Sequence, residues 1–489
     1  MKKKNITNMK NTIIVLAIML SITLFGGCAD VAFEENPPSL LSPNTFFTTE
    51  SEFEAALVGT FRPLYSDWSA YDYGYDILLS QGGEDVRSDA DIFKNLDRLN
   101  PNDNEELTRG FWRKHYQCIA NANTIIGNLK NATEISDEKL AELGGQAKFL
   151  RALAFFNLVR FFGEVQLTTF ENQNDVENLK QATIEEIYTS IVNDLKDAET
   201  GLPVSFADKG RPTQGAAKTL LAKVYLTMAG WPLEDTAKYT DARDKAAEIM
   251  GGIYSLEPNF ADLWTQGKKL TTPEFIFTFY GSTEQEGVYG SHMHHATRHW
   301  GNGEGGWGDY FSEERFFNAF PDGTRKDASF TTVFSDGTSY IDAGVQPHIA
   351  KYRDAGNGKD NPPGSNVNGE GFRPILRYAD VLLVYAEAAN MAEGGPSQAA
   401  YDAINAVRQR AGLTNLSSGM SQSDFDKAVL DERNWELAFE GNRWHDLVRR
   451  KMVVEVNQDE HPNVSETNRL LPKPGAQLIP GVLDQNPGY

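Results

Sequence analysis

Apolar residues recur at helical spacing along most of the chain. The pattern predicts ten helices, over residues 51–65, 110–129, 140–162, 184–200, 214–229, 237–250, 378–393, 397–411, 422–440 and 443–452. The segment 140–162 is apolar almost all round, which predicts a helix buried on more than one side. Short polar or Gly/Pro turns join these segments in pairs. The pattern therefore predicts a mainly α fold, in which tetratricopeptide-like helix hairpins stack into a superhelix.

Two regions depart from the helical pattern. Residues 71–104 are rich in Asp, Gly and Asn, and residues 281–309 are rich in Gly and carry Tyr, Trp and His. A short strand is predicted just before the second region, at 275–280. Long segments without regular structure are usually functional or disordered, and the aromatic content argues against disorder. We expect both regions to be ligand-binding loops.

The N-terminal segment has the pattern of an export signal. Residues 1–27 carry basic residues and no acidic ones, followed by an apolar run at 13–25 that is too short to span a bilayer. Small residues stand directly before Cys28, as in a bacterial lipobox, which predicts a lipid anchor on Cys28. An ordinary cleaved signal with a stray thiol is the alternative. Residues 28–45, which contain three prolines, are predicted to be an extended tether.

Charge and composition narrow the classes of function. The formal net charge is −22 at pH 7, and such a surface repels phosphate backbones, which excludes non-specific nucleic-acid binding as the main activity. With 40% hydrophobic residues the chain can bury a large core. With Cys28 acylated, Cys118 has no partner and is predicted to be a buried free thiol.

Five stretches, in order along the chain, resemble the signatures of the SusD/RagB family of nutrient-binding outer-membrane lipoproteins. They are GQAKFLRALAFFNLVRFFG at 145–163, GRPTQGAAK at 210–218, RYADVLLVYAEA at 377–388, ERNWELAFEGNRWHDLVR at 432–449, and LPKP with QNPGY between 471 and 489.

The resemblance implies one domain over 46–489, with an N-terminal SusD-like part at about 46–260 and a C-terminal SusD/RagB part at about 270–489. It implies four tetratricopeptide-like helix pairs and a lipid anchor in the outer membrane of a Gram-negative bacterium, facing the cell exterior. It also implies a partner, a TonB-dependent transporter of the SusC type. The implied function is capture of oligosaccharides without catalysis and without a cofactor.

The motifs themselves are structural in character. They place charged residues within apolar helices, and buried charges must be paired. Glu436 and Glu440 stand one helical turn apart, like the carboxylates of a glycosidase, but we expect them to form salt bridges with Arg433 or Arg443. Thr213 is expected to cap the helix that follows it.

Sugars offer apolar C–H faces edged by hydroxyls, so aromatic rings with polar neighbours are the side chains that bind them. The ligand-binding candidates chosen on that ground are Trp68, Tyr71, Tyr73, Arg87, Tyr289, His292, Arg298, Trp300, Asn302, Trp307 and Tyr310.

Other chemistry is less well supported. His292, His294, His295 and His299 could suggest a metal site, but histidines on a loop are expected to face solvent or ligand, and no metal is predicted. The letters G-x-G-x-x-G at 301–306 lack the strand and helix that a dinucleotide site requires. Two alternatives remain open. One is a lipoprotein that binds peptides or other non-sugar nutrients, and the other is a lipid-anchored glycoside hydrolase that uses carboxylates such as Glu304, Asp309, Glu313 and Glu314.

Overall fold

The structure, a computed structural model, describes residues 46–65, 82–91, 93–280, 292–354 and 372–489. Cys28 and the tether lie outside the described residues. Within them the helices are α1 Glu50–Phe61, α2 Lys94–Asp97, α3 Glu106–Asn128, α4 Asp137–Phe162, α5 Ile184–Gly201, α6 Gln214–Met228, α7 Lys238–Ala247, α8 His292–Ala296, α9 Glu314–Ala319, α10 Thr324–Ser329, α11 Tyr340–Ala343, α12 Tyr378–Glu393, α13 Gln398–Arg410, α14 Gln422–Glu436, α15 Arg443–Arg449 and α16 Val453–Asn457. Short 3₁₀ turns occur at Arg62–Leu64, Leu129–Asn131, Phe260–Trp264, Glu466–Arg469 and Gly475–Gln477.

The strands are few and short. They are β1 Val86–Arg87, β2 Val165–Gln166, β3 Gln181–Ala182, β4 Phe275–Phe279, β5 Phe311–Ser312, β6 Phe330–Thr331, β7 His348–Ile349 and β8 Arg373–Arg377. They form one sheet of order β1-β5-β7-β6 and two antiparallel pairs, β2-β3 and β4-β8. The mainly α fold is therefore confirmed, as is the short strand before the second loop.

The long helices pack in succession. Helix α1 packs against α3, and each of α3, α4, α5 and α6 packs against the next helix, ending at α7. Helix α7 then packs against α12, which contacts α13 and α14. Helix α12, the partner of α7, is thus separated from it in the sequence by a long insertion, residues 248–377. Helix pairing is sequential in the first half of the chain and non-local at this point.

Local sequence signals set the ends of these helices. The Thr213 hydroxyl accepts a hydrogen bond from the Ala216 N–H, so the predicted cap of α6 is confirmed. The α4 helix begins at the Ser136 cap and buries aromatic residues such as Phe149, Phe155 and Phe156 on several sides. Cys118 is fully buried and free, as predicted. Among the described residues, no helix is both long enough and apolar enough to cross a membrane.

The charged residues of the family-like motifs are buried and paired, as expected, but the predicted partners are wrong. Arg377 donates to Glu274 at 2.7 Å, to Glu436 at 2.5 Å and to Glu440 at 2.8 Å. Glu436 also accepts from Arg325 and Arg410, at 2.9 and 2.5 Å.

Arg433 and Arg443, the expected partners, are engaged elsewhere. Arg433 bonds Asp380 and Asp446, and Arg443 bonds Glu84. The partners of Glu436 lie on distant segments because packing brings the arginines of other elements, Arg325, Arg377 and Arg410, against its carboxylate. Burial alone would raise the pKa of Glu436, but the surrounding guanidinium groups hold it well below its usual value.

Candidate functional site

The two predicted ligand loops are joined through one sheet. Strand β1 lies within the first loop and β5 directly follows the second, and they pair with Val86 opposite Ser312 and Arg87 opposite Phe311. Beside this pairing the rings of Phe93 and Tyr310 stack with centroids 5.0 Å apart. The fold therefore brings together two regions that are more than 200 positions apart in the sequence.

The Gly-rich segment after α8 folds back on itself. A tight turn at 301–304 is closed by a hydrogen bond from the Glu304 N–H to the Gly301 carbonyl, at 3.0 Å. Its two central residues, Asn302 and Gly303, have φ of 54° and 78°, as in a type I′ turn. Further main-chain bonds run from 306 to 299, from 307 to 295, from 308 to 298 and from 310 to 296. A Cβ atom at Gly306 would lie 2.2 Å from the Arg298 carbonyl, so this close approach requires glycine.

A buried ion pair fastens the turn to the body of the protein. Arg353 donates to both carboxylate oxygens of Glu304, at 2.7 and 2.8 Å, and both groups are buried. Ser335 donates to Glu304 through its N–H and its hydroxyl. Burial alone would raise the pKa of Glu304, but the hydrogen bonds from Arg353 and Ser335 lower it, so this carboxylate stays ionised. The Asn302 amide also donates to Asp336, at 2.9 Å.

This fixed segment presents two tryptophans, Trp300 and Trp307, which we call the tryptophan platform. The exposed fraction is 73% for Trp300 and 37% for Trp307. Trp307 stacks on His295 with ring centroids 5.1 Å apart, and Trp300 lies beside His299 at 5.3 Å. Exposed aromatic surface on a rigid support can stack against the apolar face of a ligand without a large ordering cost.

The histidines of the second loop are more buried than the sequence led us to expect. We expected them to face solvent or ligand, but His294, His295 and His299 are each 4% exposed, and the rings of His295 and His299 pack against the two tryptophans. Burial lowers the pKa of His294 to about 4, so it is neutral near pH 7. Among the described residues, no group of three His, Cys, Asp or Glu side chains is placed to hold a metal ion. The helix α8 begins at His292, whose side chain is not among those described.

Two other candidates are corrected. Arg298 is 3% exposed and donates to His295, and Tyr310 is fully buried in its stack with Phe93. Because both side chains are buried, neither lies on the exposed surface formed by Trp300 and Trp307. Arg87 is partly exposed, but its guanidinium lies 3.4 Å from each of three carboxylates, those of Asp97, Glu313 and Glu460. The candidates Trp68, Tyr71, Tyr73 and Tyr289 lie outside the described residues.

The carboxylates considered for hydrolysis are mostly occupied. Glu304 is held by Arg353, and Glu313 bonds Arg315 and Arg87. Asp309 is half-buried, and burial raises its pKa to about 6. Glu314 is exposed. Two free carboxylates facing each other across a cleft are therefore not seen in this set.

The sequence did not point to a second feature, a cavity of about 410 Å³ that we call the aromatic cavity. Its aromatic lining includes Phe61, Tyr65 and Tyr280, and its polar lining includes Asp208 and Arg211. Tyr65 and Tyr280 are the last described residues before 66–81 and 281–291. The cavity thus lies beside the points at which these two ranges begin. The sequence predicted only that Phe61 and Tyr65 belong to a helix over 51–65, and the fold is what brings them together with Tyr280.

Comparison with known proteins gives a consistent result. Residues 336–474 match the family described as SusD family, and residues 76–226 match the one described as starch-binding associating with outer membrane. The chain is 29% identical to SusD-like protein P2 of Formosa agariphila, over 96% of this chain and 98% of that protein. It is 28% identical to a SusD-like protein of Bacteroides ovatus, over 90% and 82%.

Solved structures agree. A SusD superfamily protein of Parabacteroides distasonis has a TM-score of 0.75 at 26% identity, covering 89% of this chain and 99% of its own. Surface glycan-binding protein A of Bacteroides fluxus has a TM-score of 0.74 at 25% identity, covering 90% and 100%. The two family matches, the full-length relatives and the shared fold lead to one conclusion: this chain belongs to the SusD/RagB family.

Proposed function

We propose that this protein is a cell-surface lipoprotein that binds oligosaccharides without cleaving them and passes them to a SusC-type TonB-dependent transporter. The observation that carries the proposal is the tryptophan platform, two exposed indole rings on a loop fixed by the Glu304–Arg353 pair. A tryptophan that is 73% exposed gains little stability from burial, and its position beside a second exposed indole on a fixed loop favours a binding role.

Polar groups beside the platform suit a sugar ligand. The Asn302 and Asp336 side chains lie at the turn next to Trp300, and Asp309 follows Trp307 by two positions. Amide and carboxylate groups can exchange hydrogen bonds with ring hydroxyls while an indole covers the C–H face. The similarity to surface glycan-binding protein A of Bacteroides fluxus supports the same ligand class.

Membrane attachment and the partner rest on the resemblance and on the sequence. The lipobox at Cys28 supports a lipid anchor, and the name of the matching family supports association with the outer membrane. The proposal also holds that the anchor keeps the protein on the outer face of the outer membrane, and that the protein delivers its oligosaccharide to the transporter. A Cys28→Ala protein recovered in the membrane fraction would contradict the anchor, and failure to co-purify with the transporter would contradict the partnership.

The experiment is a glycan-array screen of the purified mature chain, followed by calorimetry with each oligosaccharide that binds. We expect saturable binding with no change in the ligand's length on chromatography. Release of shorter products would support the hydrolase alternative. Binding of peptides but not of any glycan would support capture of a non-sugar nutrient.

A further inference from the structure

One carboxylate beside the tryptophan platform has no partner within the described part of the chain. Asp309 is half-buried, and no hydrogen bond or ion pair with a described residue engages its side chain. The acidic residues before and after it in the sequence are both paired, Glu304 with Arg353 and Glu313 with Arg315. Asp309 thus differs from them in keeping two carboxylate oxygens available to a ligand.

Main-chain hydrogen bonds fix the position of Asp309 close to Trp307. The N–H groups on either side of it, at 308 and 310, donate to the carbonyls of 298 and 296, at 2.8 and 2.9 Å. Because Asp309 follows Trp307 by two positions, their Cα atoms are at most about 7 Å apart. This separation is short enough for one sugar ring to touch both side chains.

Burial without a partner is unfavourable for this carboxylate. It raises the pKa of Asp309 to about 6, and burial is the only cause of the shift. The titratable groups on the neighbouring segments are engaged elsewhere. Arg298 donates to His295, Arg87 on β1 lies among three carboxylates, and burial lowers the pKa of His299. Groups with raised pKa values and no structural partner are concentrated at functional sites, where a ligand can supply the missing hydrogen bonds.

The chemistry of the platform favours a neutral sugar. The side chains at its surface are those of Trp300, Asn302, Trp307, Asp309 and the neighbouring Asp336, and none of these is cationic. An ionised carboxylate can accept hydrogen bonds from two adjacent hydroxyls, and such bonds are stronger than those between neutral groups. A sugar that carries a carboxylate or a sulfate would bring like charges together here, which lowers its affinity.

We propose that Asp309 determines the specificity of the tryptophan platform: its carboxylate accepts hydrogen bonds from two adjacent hydroxyls of a neutral sugar ring that stacks on Trp307. The same carboxylate excludes sugar units that carry an oxyanion. This role rests on the oligosaccharide-binding function proposed above and narrows the ligand to neutral glycans. Binding should also weaken in acid, because protonation removes the charge of the acceptor.

The test uses the mature protein labelled with 5-fluorotryptophan, in which the Trp307 signal of the ¹⁹F spectrum is assigned with Trp307→Phe. The probes are three neutral hexoses, glucose, galactose and mannose, and two uronic acids, glucuronic and galacturonic acid. We expect at least one hexose to shift the Trp307 signal at about pH 7.5. It should bind about tenfold more weakly at about pH 5, where only roughly a tenth of Asp309 is ionised. Each uronic acid should need a higher concentration than its parent hexose.

Variants separate this role from the proposed function and from general electrostatics. At about pH 7.5, Asp309→Asn should bind the hexose about fivefold or more weakly than wild type, since a neutral amide replaces a charged acceptor. It should also lose the pH dependence and the discrimination against uronic acids. Asp322→Asn, which removes an exposed carboxylate outside the platform, should behave as wild type.

The possible failures are distinguishable. A Trp307 signal that no hexose shifts would contradict both the proposed function and the role of Asp309. Hexose binding with unchanged affinity or unchanged pH dependence in Asp309→Asn would overturn the role of Asp309 and leave the proposed function standing. A uronic acid that binds as tightly as its parent hexose would do the same.

Discussion

At the scale of single residues, substitutions in the tryptophan platform should change ligand affinity much more than they change stability. Trp300 is 73% exposed, and Trp307 is 37% exposed and stacked on His295. We expect Trp300→Ala to lower glycan affinity by about 1–3 kcal/mol with almost no change in melting temperature. Trp307→Ala should lower affinity similarly and also lower the melting temperature slightly, because the His295 ring loses its cover. Calorimetric titration and thermal unfolding measure the two effects.

The matched control for the platform is Ile341→Ala. This side chain is 72% exposed and lies outside the platform. It should leave both affinity and melting temperature unchanged. If both tryptophan variants kept full affinity, the platform would not be the site, and the aromatic cavity around Phe61, Tyr65 and Tyr280 would become the next candidate.

Asp309 predicts a pH dependence of stability near the platform. Burial raises its pKa from 3.8 to about 6. Between these values the folded state binds more protons than the unfolded state, so the free energy of unfolding falls as pH rises from about 4 to 6. We expect the Asp309→Asn protein to gain stability relative to wild type over this interval, and the difference to level off above about pH 7.

Denaturant unfolding at several pH values measures this difference. Asp322→Asn is the control, since that carboxylate is 96% exposed. A constant difference between wild type and Asp309→Asn from pH 4 to 7 would contradict the prediction.

Some residue roles could be predicted from the sequence and others could not. Trp300 was predicted to lie on a ligand-binding loop, and its exposure agrees with that prediction. Pairing of the buried arginines was predictable because an unpaired buried charge is costly. Burial of His294, Arg298 and Tyr310 could not be inferred, because their neighbours in space, such as Tyr352 and Phe93, are distant in the sequence.

At the scale of elements, the space around a glycine shows whether its helix packs tightly against a neighbour at that point or is open there. A Cβ atom on Gly201, at the end of α5, would lie 2.4 Å from the Ala141 carbonyl of α4. On Gly59, in α1, it would meet nothing within 4 Å. We expect Gly201→Ala to lower the free energy of unfolding by forcing α4 and α5 apart, and Gly59→Ala to raise it by about 0.5–1 kcal/mol. Urea unfolding of the two variants measures both, and a destabilised Gly59→Ala protein would contradict the second expectation.

Helices were the most predictable elements. Their periodicity and caps are local, so α12 and the start of α6 were placed correctly from the sequence alone. The contact between α7 and α12 was not predictable, since an insertion of more than 100 residues separates them and periodicity carries no information about partners. The short helix α8 was missed because a single turn leaves too few residues to show a period.

At the scale of the whole molecule, the C-terminal segment joins distant parts of the fold. The Asn486 amide donates to the carbonyls of Phe162 and Leu471, at 3.1 and 2.8 Å, and the Leu471 N–H donates to the Phe161 carbonyl. We expect Asn486→Ala to lower the free energy of unfolding by about 1–3 kcal/mol, because it removes two hydrogen bonds and leaves buried carbonyls unpaired. Thermal unfolding measures this loss.

The control for this contact is Asn178→Ala. Its exposed amide bonds only the neighbouring Asp175. Equal melting temperatures for the two asparagine variants would show that the C-terminal contact does not stabilise the fold. The single domain proposed for 46–489 has its own test, limited proteolysis, and early cleavage between 220 and 250 into two stable halves would contradict it.

The pinned C-terminal segment also determines when the scaffold can close. Asn486 and Phe162 are 324 positions apart, so the carbonyls at the end of α4 can be bonded only by residues that are synthesised much later. Local helices form long before such a contact, and loop closure over this distance slows the final step of folding. A newly made chain therefore spends an interval with its helices formed and the C-terminal end of α4 still uncovered.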